Sequence, residues 1–383
     1  MAYNIIEARH DARIAPPYFD WKMVALDTWL VCGIFMDGWA HNHIADEIES
    51  FFTPWHALLY SGFLMVAVFN IVTVIRARRK GNAWKETLPD GYGLSMIGVM
   101  IFGISGFCDM IWHLVFGIEA SVAAGFSPPH IGIMIATGLI VSGPFRAAWM
   151  RPGSAPARWS EWLPALISLH LILSLMSFVT QYANPLVVIA ATSVPTGYSD
   201  QALGAVSILL QTAIFMGWIL IAVRRWSLPF GSLTFILALN AISICFMRDQ
   251  FFLIPAAVLS GIAADILLWK LKSAASCPAK FHLFAFVVPL LYFLLYFGTL
   301  LAVKTVSWTM PLWTGTAFMS GIVSGLLSYL ILPPPIPQLS VKGSGDTTLF
   351  AARRNGQHTD FDAEILAEKA EVKQPVWVSV RHQ

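Results

Sequence analysis

Five of the ten histidines in this 383-residue sequence lie between residues 41 and 130, and they recur in a pattern with acidic residues. The first copy of the pattern comprises Asp37, His41, Glu47 and His56. The second copy comprises Asp109, His113, Glu119 and His130. The Asp, His and Glu recur after 72 residues and the last His after 74, so we interpret the pattern as a duplicated two-helix unit.

The spacing within each copy suits a metal site. Asp and His four residues apart project from one face of a helix, so both side chains can reach one ion. A Ser/Thr-Pro step then predicts the start of the next helix, with Thr53 or Ser127 as its cap and proline in its first turn. His56 and His130 fall on that first turn, level with the Asp and His pair. Imidazoles with carboxylate oxygens favour iron, copper, zinc or manganese over a thiolate-type site.

Other interpretations of these residues stay open. The same side chains could form a structural hydrogen-bond network or a proton or ion pathway. Glu47 and Glu119 would complete the coordination of a metal or orient its ligands. His43 and Glu49 have no counterpart in the second copy and are secondary candidates. Asp265, in a later apolar stretch, is a separate candidate for proton or cation handling, because a carboxylate inside a membrane is usually functional.

The elements that must position these residues are membrane-spanning helices. Charged residues make up 12% of the chain and hydrophobic residues 57%, whereas soluble domains carry about 25% charged residues. This composition excludes a soluble enzyme and a disordered chain. We expect an all-α polytopic transmembrane helical bundle of about ten spans, with a tandem repeat of two-helix hairpins in the first four. The apolar stretches are 23–40, 55–75, 92–117, 127–148, 162–182, 203–223, 229–247, 250–270, 281–303 and 310–332.

Basic residues predict the orientation of the spans. Lys and Arg concentrate in the connections after the second, fourth, sixth and eighth stretches, as in the run from Arg76 to Lys80. The positive-inside rule then places both termini in the cytoplasm and the histidine pattern near the outer face. We therefore expect a multi-pass protein of a bacterial-type inner membrane. The net charge of +2 gives no indication of a nucleic-acid partner, no long basic run is present, and we expect no such partner.

Composition divides the chain into four parts. We expect a cytoplasmic N-terminal segment (1–22), a four-helix metal-binding repeat region (23–148), a six-helix membrane region (149–332) and a flexible cytoplasmic tail (333–383). The tail begins with a proline-rich run, which cannot continue a helix. The sequence has no phosphate-binding Walker A loop and no C-x-x-C-H haem attachment run, so nucleotide-driven transport and c-type haem are unsupported.

The first copy also resembles a known family. Asp37-Gly-Trp-Ala-His41, followed by Phe52-Thr53-Pro54-Trp55-His56, resembles the C subunit of the copper-dependent particulate methane and ammonia monooxygenases. There, an Asp-x-x-x-His element and a Phe-Thr-Pro-Ser-His element on the next helix bind a metal through Asp and two His. The resemblance covers residues 37–60, with a second, degenerate copy at 109–130, and Trp55 stands where the family has Ser. It implies a metal bound by Asp37, His41 and His56 and, through the repeat, by Asp109, His113 and His130.

By resemblance, the chain would be an oxidoreductase of the monooxygenase type, or a subunit of one. Copper is the metal that the resemblance favours, and iron and zinc are alternatives. We expect membrane lipid, other membrane subunits and a small apolar substrate as partners. The alternatives are a non-catalytic accessory or structural subunit of a respiratory or photosynthetic complex, and a metal delivery or transport protein. Whether the chain is an enzyme, and whether the hairpins form one dinuclear centre or two mononuclear sites, stays open at this point.

Overall fold

The computed structural model describes residues 14–44, 51–117, 121–151, 159–192, 197–271 and 277–332. All regular structure in these ranges is helical, and nine segments are long and apolar enough to cross a membrane. The expected all-α transmembrane bundle is therefore confirmed. The α-helices of the described ranges are α1 (Pro17–His43), α2 (Pro54–Arg79), α3 (Gly93–Phe116), α4 (Pro128–Val141), α5 (Gly143–Met150), α6 (Trp159–Val179), α7 (Tyr198–Arg225), α8 (Ser232–Cys245), α9 (Ile254–Leu271), α10 (Pro278–Val303) and α11 (Met310–Ile331).

The seventh apolar stretch is helical but shorter than expected. Helix α8 has 14 residues, and a 3-10 turn (Phe246–Arg248) extends the helical segment only to Arg248. The segment is bounded by Gly231 (φ 93°) and Asp249 (φ 56°), both with left-handed backbone that a right-handed helix cannot continue. The ten apolar stretches thus correspond to nine helices of spanning length and this shorter helical segment in the described ranges.

A proline divides the fourth stretch into α4 and α5. Pro144 has no N–H to donate to the Ile140 carbonyl, which a continuous helix would require. The Ser95 hydroxyl donates to that carbonyl instead, over 3.2 Å, and the Arg146 guanidinium donates to the carbonyl of Leu139 over 3.0 Å. The freed carbonyls are thus satisfied inside the bundle, as the interior of a membrane demands.

Close backbone contact holds the first hairpin together. Helix α1 packs along α2, and a Cβ atom at Gly33 would lie 2.5 Å from Leu59 Cα. A Cβ atom at Gly62 would lie 2.8 Å from Leu30 Cα. In the second hairpin, Ser105 occupies the position equivalent to Gly33 and packs against Gly132 of α4. Small residues at these positions let the helices approach closely enough for side chains near their ends to meet.

Two apolar cores lie side by side and α1 contributes to both. Met23 and Leu30 of α1 pack in a core with residues of α2–α5. Val31 and Phe35 of the same helix belong to a larger core built mainly by α6–α11. Helix α1 consequently packs against α6, and the segment that follows α6 comes close to the ends of the first four helices.

Candidate metal centre

The duplicated residues occupy equivalent places in the two hairpins. Asp37 and His41 lie in the last two turns of α1, and Asp109 and His113 lie in the last two turns of α3. His56 and His130 lie in the first turns of α2 and α4, which begin at Pro54 and Pro128. The predicted helix ends and starts therefore bring the second histidine of each hairpin level with its Asp and His pair.

The two capping residues behave differently. The Thr53 hydroxyl accepts a hydrogen bond of 3.1 Å from the backbone N–H of His56, so Thr53 is the predicted cap of α2. Ser127 makes no such bond to the backbone of α4. Its hydroxyl lies 2.8 Å from Nδ1 of His130 instead. Ser127 therefore orients an imidazole ring where Thr53 stabilises a helix end.

The six Asp and His side chains converge on one cluster. Nε2 of His56 lies 3.4 Å from Oδ1 of Asp37, and His41 lies 3.9 Å from the other oxygen of that carboxylate. Oδ1 of Asp109 lies 3.4 Å from Nε2 of His113 and 3.0 Å from Nε2 of His130. The imidazoles follow one another as His41, His56, His113 and His130, with ring centroids 6.1, 5.8 and 5.5 Å apart.

His56 joins the two copies of the pattern. Potential ligand atoms of Asp37, His41 and His56 lie within 4.8 Å of one another, and so do those of His56, Asp109 and His113. The sequence assigned His56 to the first hairpin alone. The two hairpins therefore contribute their Asp and His side chains to one continuous cluster.

Backbone carbonyls fix which nitrogen of two central imidazoles carries hydrogen. Nδ1 of His56 lies 2.6 Å from the carbonyl oxygen of Phe51, and Nδ1 of His113 lies 3.2 Å from that of Gly117. A carbonyl can only accept, so each Nδ1–H donates and each neutral ring keeps its lone pair on Nε2. Both Nε2 atoms are buried without a hydrogen-bond partner and face carboxylate oxygens 3.4 Å away. Two facing acceptors repel each other unless a cation or a proton lies between them.

The charge of the cluster fits a metal ion. Asp109 is only 2% exposed, and Asp37 is partly buried. Within the described ranges, the only ion partners of these two carboxylates are the histidines of the cluster. Buried carboxylates need a positive partner, and a divalent metal held by imidazole nitrogens and carboxylate oxygens supplies one. The residues present therefore fit a transition-metal ion.

Two aromatic residues support the ligands. The Tyr60 hydroxyl donates a hydrogen bond of 2.9 Å to Oδ2 of Asp109. The ring of Phe51 stacks on that of His56 with a centroid distance of 4.7 Å. Neither residue was predicted as part of the site. Tyr60 lies four residues after His56 on the same helix, a spacing that could have revealed it, whereas Phe51 acts through its backbone carbonyl and carries no such signal.

A cavity of about 380 Å³ opens beside the cluster. Asp37, His41, His56, Asp109 and His130 line one side of it. Much of the remaining wall is apolar and includes Ile133, Met134, Phe178, Val187 and Val188. Residues beyond position 150 thus complete the cavity, although the histidine pattern lies within residues 37–130. Packing of α1 against α6 brings them there, and no local sequence pattern reports that contact.

Of the other candidate ligands in the repeat, only His43 lies within the described residues, and it does not join the cluster. Glu47, Glu49 and Glu119 lie outside the described residues. His43 lies on the surface, with Nε2 3.0 Å from Oδ2 of Asp249 and Nδ1 2.9 Å from the carbonyl oxygen of Trp39. Both of its nitrogens are therefore engaged away from the metal ligands.

The Asp265 carboxylate caps the start of helix α8. Its carboxylate accepts hydrogen bonds from the backbone N–H groups of Leu233 (3.1 Å) and Thr234 (2.9 Å) and from the Thr234 hydroxyl (2.6 Å). These donors belong to the first turn of α8, where a carboxylate also interacts favourably with the helix dipole. Capping of α8 thus accounts for this buried carboxylate.

No known protein family, curated protein or solved structure matches the chain. The likeness of residues 37–60 to the monooxygenase subunit therefore rests on that motif alone. The function has to be inferred from the geometry and the charge of the cluster and its cavity.

Proposed function

We propose that this multi-pass membrane protein is a metalloprotein whose first four helices hold a transition-metal centre. One observation carries the proposal: the buried Nε2 lone pairs of His56 and His113 face the carboxylate oxygens of Asp37 and Asp109 at 3.4 Å. A structural hydrogen-bond network would pair these nitrogens with donors, and in the described part of the chain they have none. A bound cation would remove the repulsion between these nitrogens and oxygens and would give all four atoms a partner.

The ligands divide naturally between two halves of the centre. Asp37, His41 and His56 can hold one ion. Asp109 can hold a second ion together with His113 and His130, because both imidazoles reach the same carboxylate oxygen. The centre is thus suited to one shared ion or to a pair of neighbouring ions. Carbonyl contacts to His56 and His113 and the hydroxyl contact to His130 orient the rings before any ion arrives.

We further propose that the centre serves a monooxygenase-type oxidoreductase. Copper bound here would supply the dioxygen activation of the family that residues 37–60 resemble. The chain itself supplies a cavity with ligands on one side and Phe178, Met134 and Val187 on the other. The apolar part of this wall could hold a small apolar molecule next to the candidate ligands, as in other sites that bind such molecules. Tyr60 keeps the Asp109 carboxylate in place through its hydroxyl.

Metal analysis of the full-length protein tests the first proposal. The purified protein, loaded with copper, iron or zinc and then desalted, is expected to retain one of these metals in stoichiometric amount. The double variant His56→Ala plus His113→Ala is expected to lose it. The variant His43→Ala is the matched control, since His43 lies outside the cluster and binds Asp249. A wild-type protein that retains none of the three metals, or a double variant that retains as much as the wild type, would contradict the metal centre.

Dioxygen consumption tests the second proposal separately. The metal-loaded protein, supplied with a chemical reductant and a short-chain hydrocarbon or ammonia, is expected to consume dioxygen in proportion to product. The variant Phe178→Ala should reduce this coupling without loss of metal, because Phe178 lines the cavity and is no ligand. Full metal occupancy with no substrate-dependent consumption would reject the oxidoreductase and leave the metal centre standing.

A further inference from the structure

A second buried acidic site lies in the four-helix region, away from the metal ligands. Asp27 precedes Asp37 by ten residues on α1, which corresponds to roughly 15 Å along the helix. Asp27 is completely buried, and neither of its carboxylate oxygens has a hydrogen-bond partner among the described residues. The proposed metal centre makes no use of it.

The groups around Asp27 leave it without a donor. Arg146 on α5 and Tyr92 before α3 are the titratable side chains that act on it electrostatically. The Arg146 guanidinium is engaged elsewhere, because it donates to the carbonyls of Gly91 and Leu139 and to the hydroxyls of Ser95 and Ser142. Its positive charge is therefore near Asp27 without forming an ion pair with it.

Helix α2 adds another unsatisfied acceptor. Asn70 donates through Nδ2 to the carbonyl of Val66 and contacts the sulfur of Met23, which lies one turn before Asp27 on α1. Oδ1 of Asn70 is buried and has no partner in the part of the chain that the structure describes. The two carboxylate oxygens and this amide oxygen can only accept while Asp27 is ionised.

We propose that Asp27 is a proton-binding carboxyl inside the membrane. A proton on Asp27 turns one of its acceptors into a donor and removes the charge, whereas a buried carboxylate without hydrogen bonds is the costly state. The reaction is a proton transfer alone: a hydronium ion at the protein surface gives up a proton and becomes water, and the carboxylate becomes a carboxylic acid. The proposal does not depend on the metal centre.

Polar groups lie between the level of Asp27 on α1 and the nearer end of that helix. Tyr92 donates a hydrogen bond of 2.5 Å to Asp20. Asp20 lies seven residues before Asp27 on the same face of α1 and pairs with Arg151, whose side chain is partly exposed. The basic residues predict that this end lies at the cytoplasmic face. Tyr92 and Asp20 are therefore the polar groups through which Asp27 would exchange its proton with the cytoplasmic side.

Infrared spectroscopy of the full-length protein tests the site. At neutral pH, the wild type is expected to show a carboxylic-acid C=O band that shifts in D₂O and that is absent in Asp27→Asn. The matched control is Asp265→Asn, which should keep the band because it removes a different buried carboxyl, one that accepts three hydrogen bonds from the start of α8. If Asp27→Asn fails to fold, Asp27→Glu should move the band rather than remove it. Absence of the band in the wild type, its persistence in Asp27→Asn, or its loss on addition of sodium ions would overturn the proposal.

Exchange kinetics test the route. Hydrogen–deuterium exchange of the Asp27 band is expected to be about tenfold slower in Tyr92→Phe, which corresponds to a barrier higher by about 1.4 kcal/mol. The variant Tyr296→Phe is the control, since it removes another buried tyrosine hydroxyl, one that bonds to the Pro185 carbonyl far from Asp27 in the chain. Equal exchange rates in the wild type and Tyr92→Phe would exclude Tyr92 from the route.

Discussion

Tyr60 on the first hairpin donates a hydrogen bond of 2.9 Å to Oδ2 of Asp109 on the second. The other oxygen of Asp109 faces the imidazoles of His113 and His130. A side chain of one copy of the repeat thus orients a ligand of the other copy. The two hairpins consequently act as one site, although each carries a complete set of Asp and His residues.

Removal of the Tyr60 hydroxyl should weaken metal binding. In Tyr60→Phe, the Asp109 carboxylate loses the donor that orients it, and loss of such a contact typically lowers metal affinity by about 10–100-fold. Titration against a competing chelator measures the effect, with Tyr296→Phe as the control. Equal affinities in the two variants would mean that Tyr60 does not position the ligand.

His41 and His43 should differ sharply although only one residue separates them. His41→Ala is expected to lower metal affinity by about tenfold or more, by analogy with the losses seen when groups around a metal are removed. His43→Ala should leave the affinity unchanged, because His43 binds Asp249. Metal content after dialysis against chelator distinguishes the variants. A larger loss of metal in His43→Ala than in His41→Ala would show that His43, and not His41, binds the metal.

The two helix-start residues should have separable effects. Thr53→Ala removes the cap of α2 and should lower the stability by about 1 kcal/mol. Ser127→Ala removes the contact to His130 and should lower metal affinity with little change in stability. Thermal unfolding of the metal-free proteins and chelator titration measure the two quantities. A loss of metal affinity without a loss of stability in Thr53→Ala, or the reverse in Ser127→Ala, would contradict the roles inferred from the contacts.

Gly33 should tolerate no side chain. A Cβ atom there would lie 2.5 Å from the Leu59 backbone, so Gly33→Ala should force α1 and α2 apart and cost about 1–3 kcal/mol. Metal affinity should fall as well, because His56 then moves away from Asp37. Gly103→Ala is the control, since the nearest atom to a Cβ there is 3.8 Å away. Similar unfolding temperatures for both variants would show that the hairpin can open at little cost.

Much of the bundle can be predicted from local sequence. Long apolar stretches have to be helical in a membrane, because lipid offers backbone groups no partners. Proline at positions 54 and 128 marks the helix starts, and the structure has both helices begin there. The shorter α8 was missed because its ends depend on the left-handed backbone of Gly231 and Asp249 rather than on hydropathy.

The candidate site is predictable only in part. The spacing of Asp37, His41 and His56 reflects helix geometry, and the structure brings these residues together. The sharing of His56 between the two hairpins could not be predicted, because it depends on how the hairpins pack. The same holds for the wall contributed by Phe178 and Val187. Those contacts join residues that are dozens of positions apart in the chain, and a single sequence without homologues does not show which of them meet.

The position of His56 also has a consequence for how the centre fills. The Phe51 carbonyl accepts the hydrogen of Nδ1, so His56 can bind an ion only through the lone pair on Nε2. That ion can lie on the Asp37 side or on the Asp109 side of the cluster. An ion bound beside Asp37 therefore leaves the Asp109 side with one imidazole fewer, and the reverse is equally true, since such coupling is reciprocal. Successive ions would bind with decreasing affinity, and a metal titration would rise in two unequal steps.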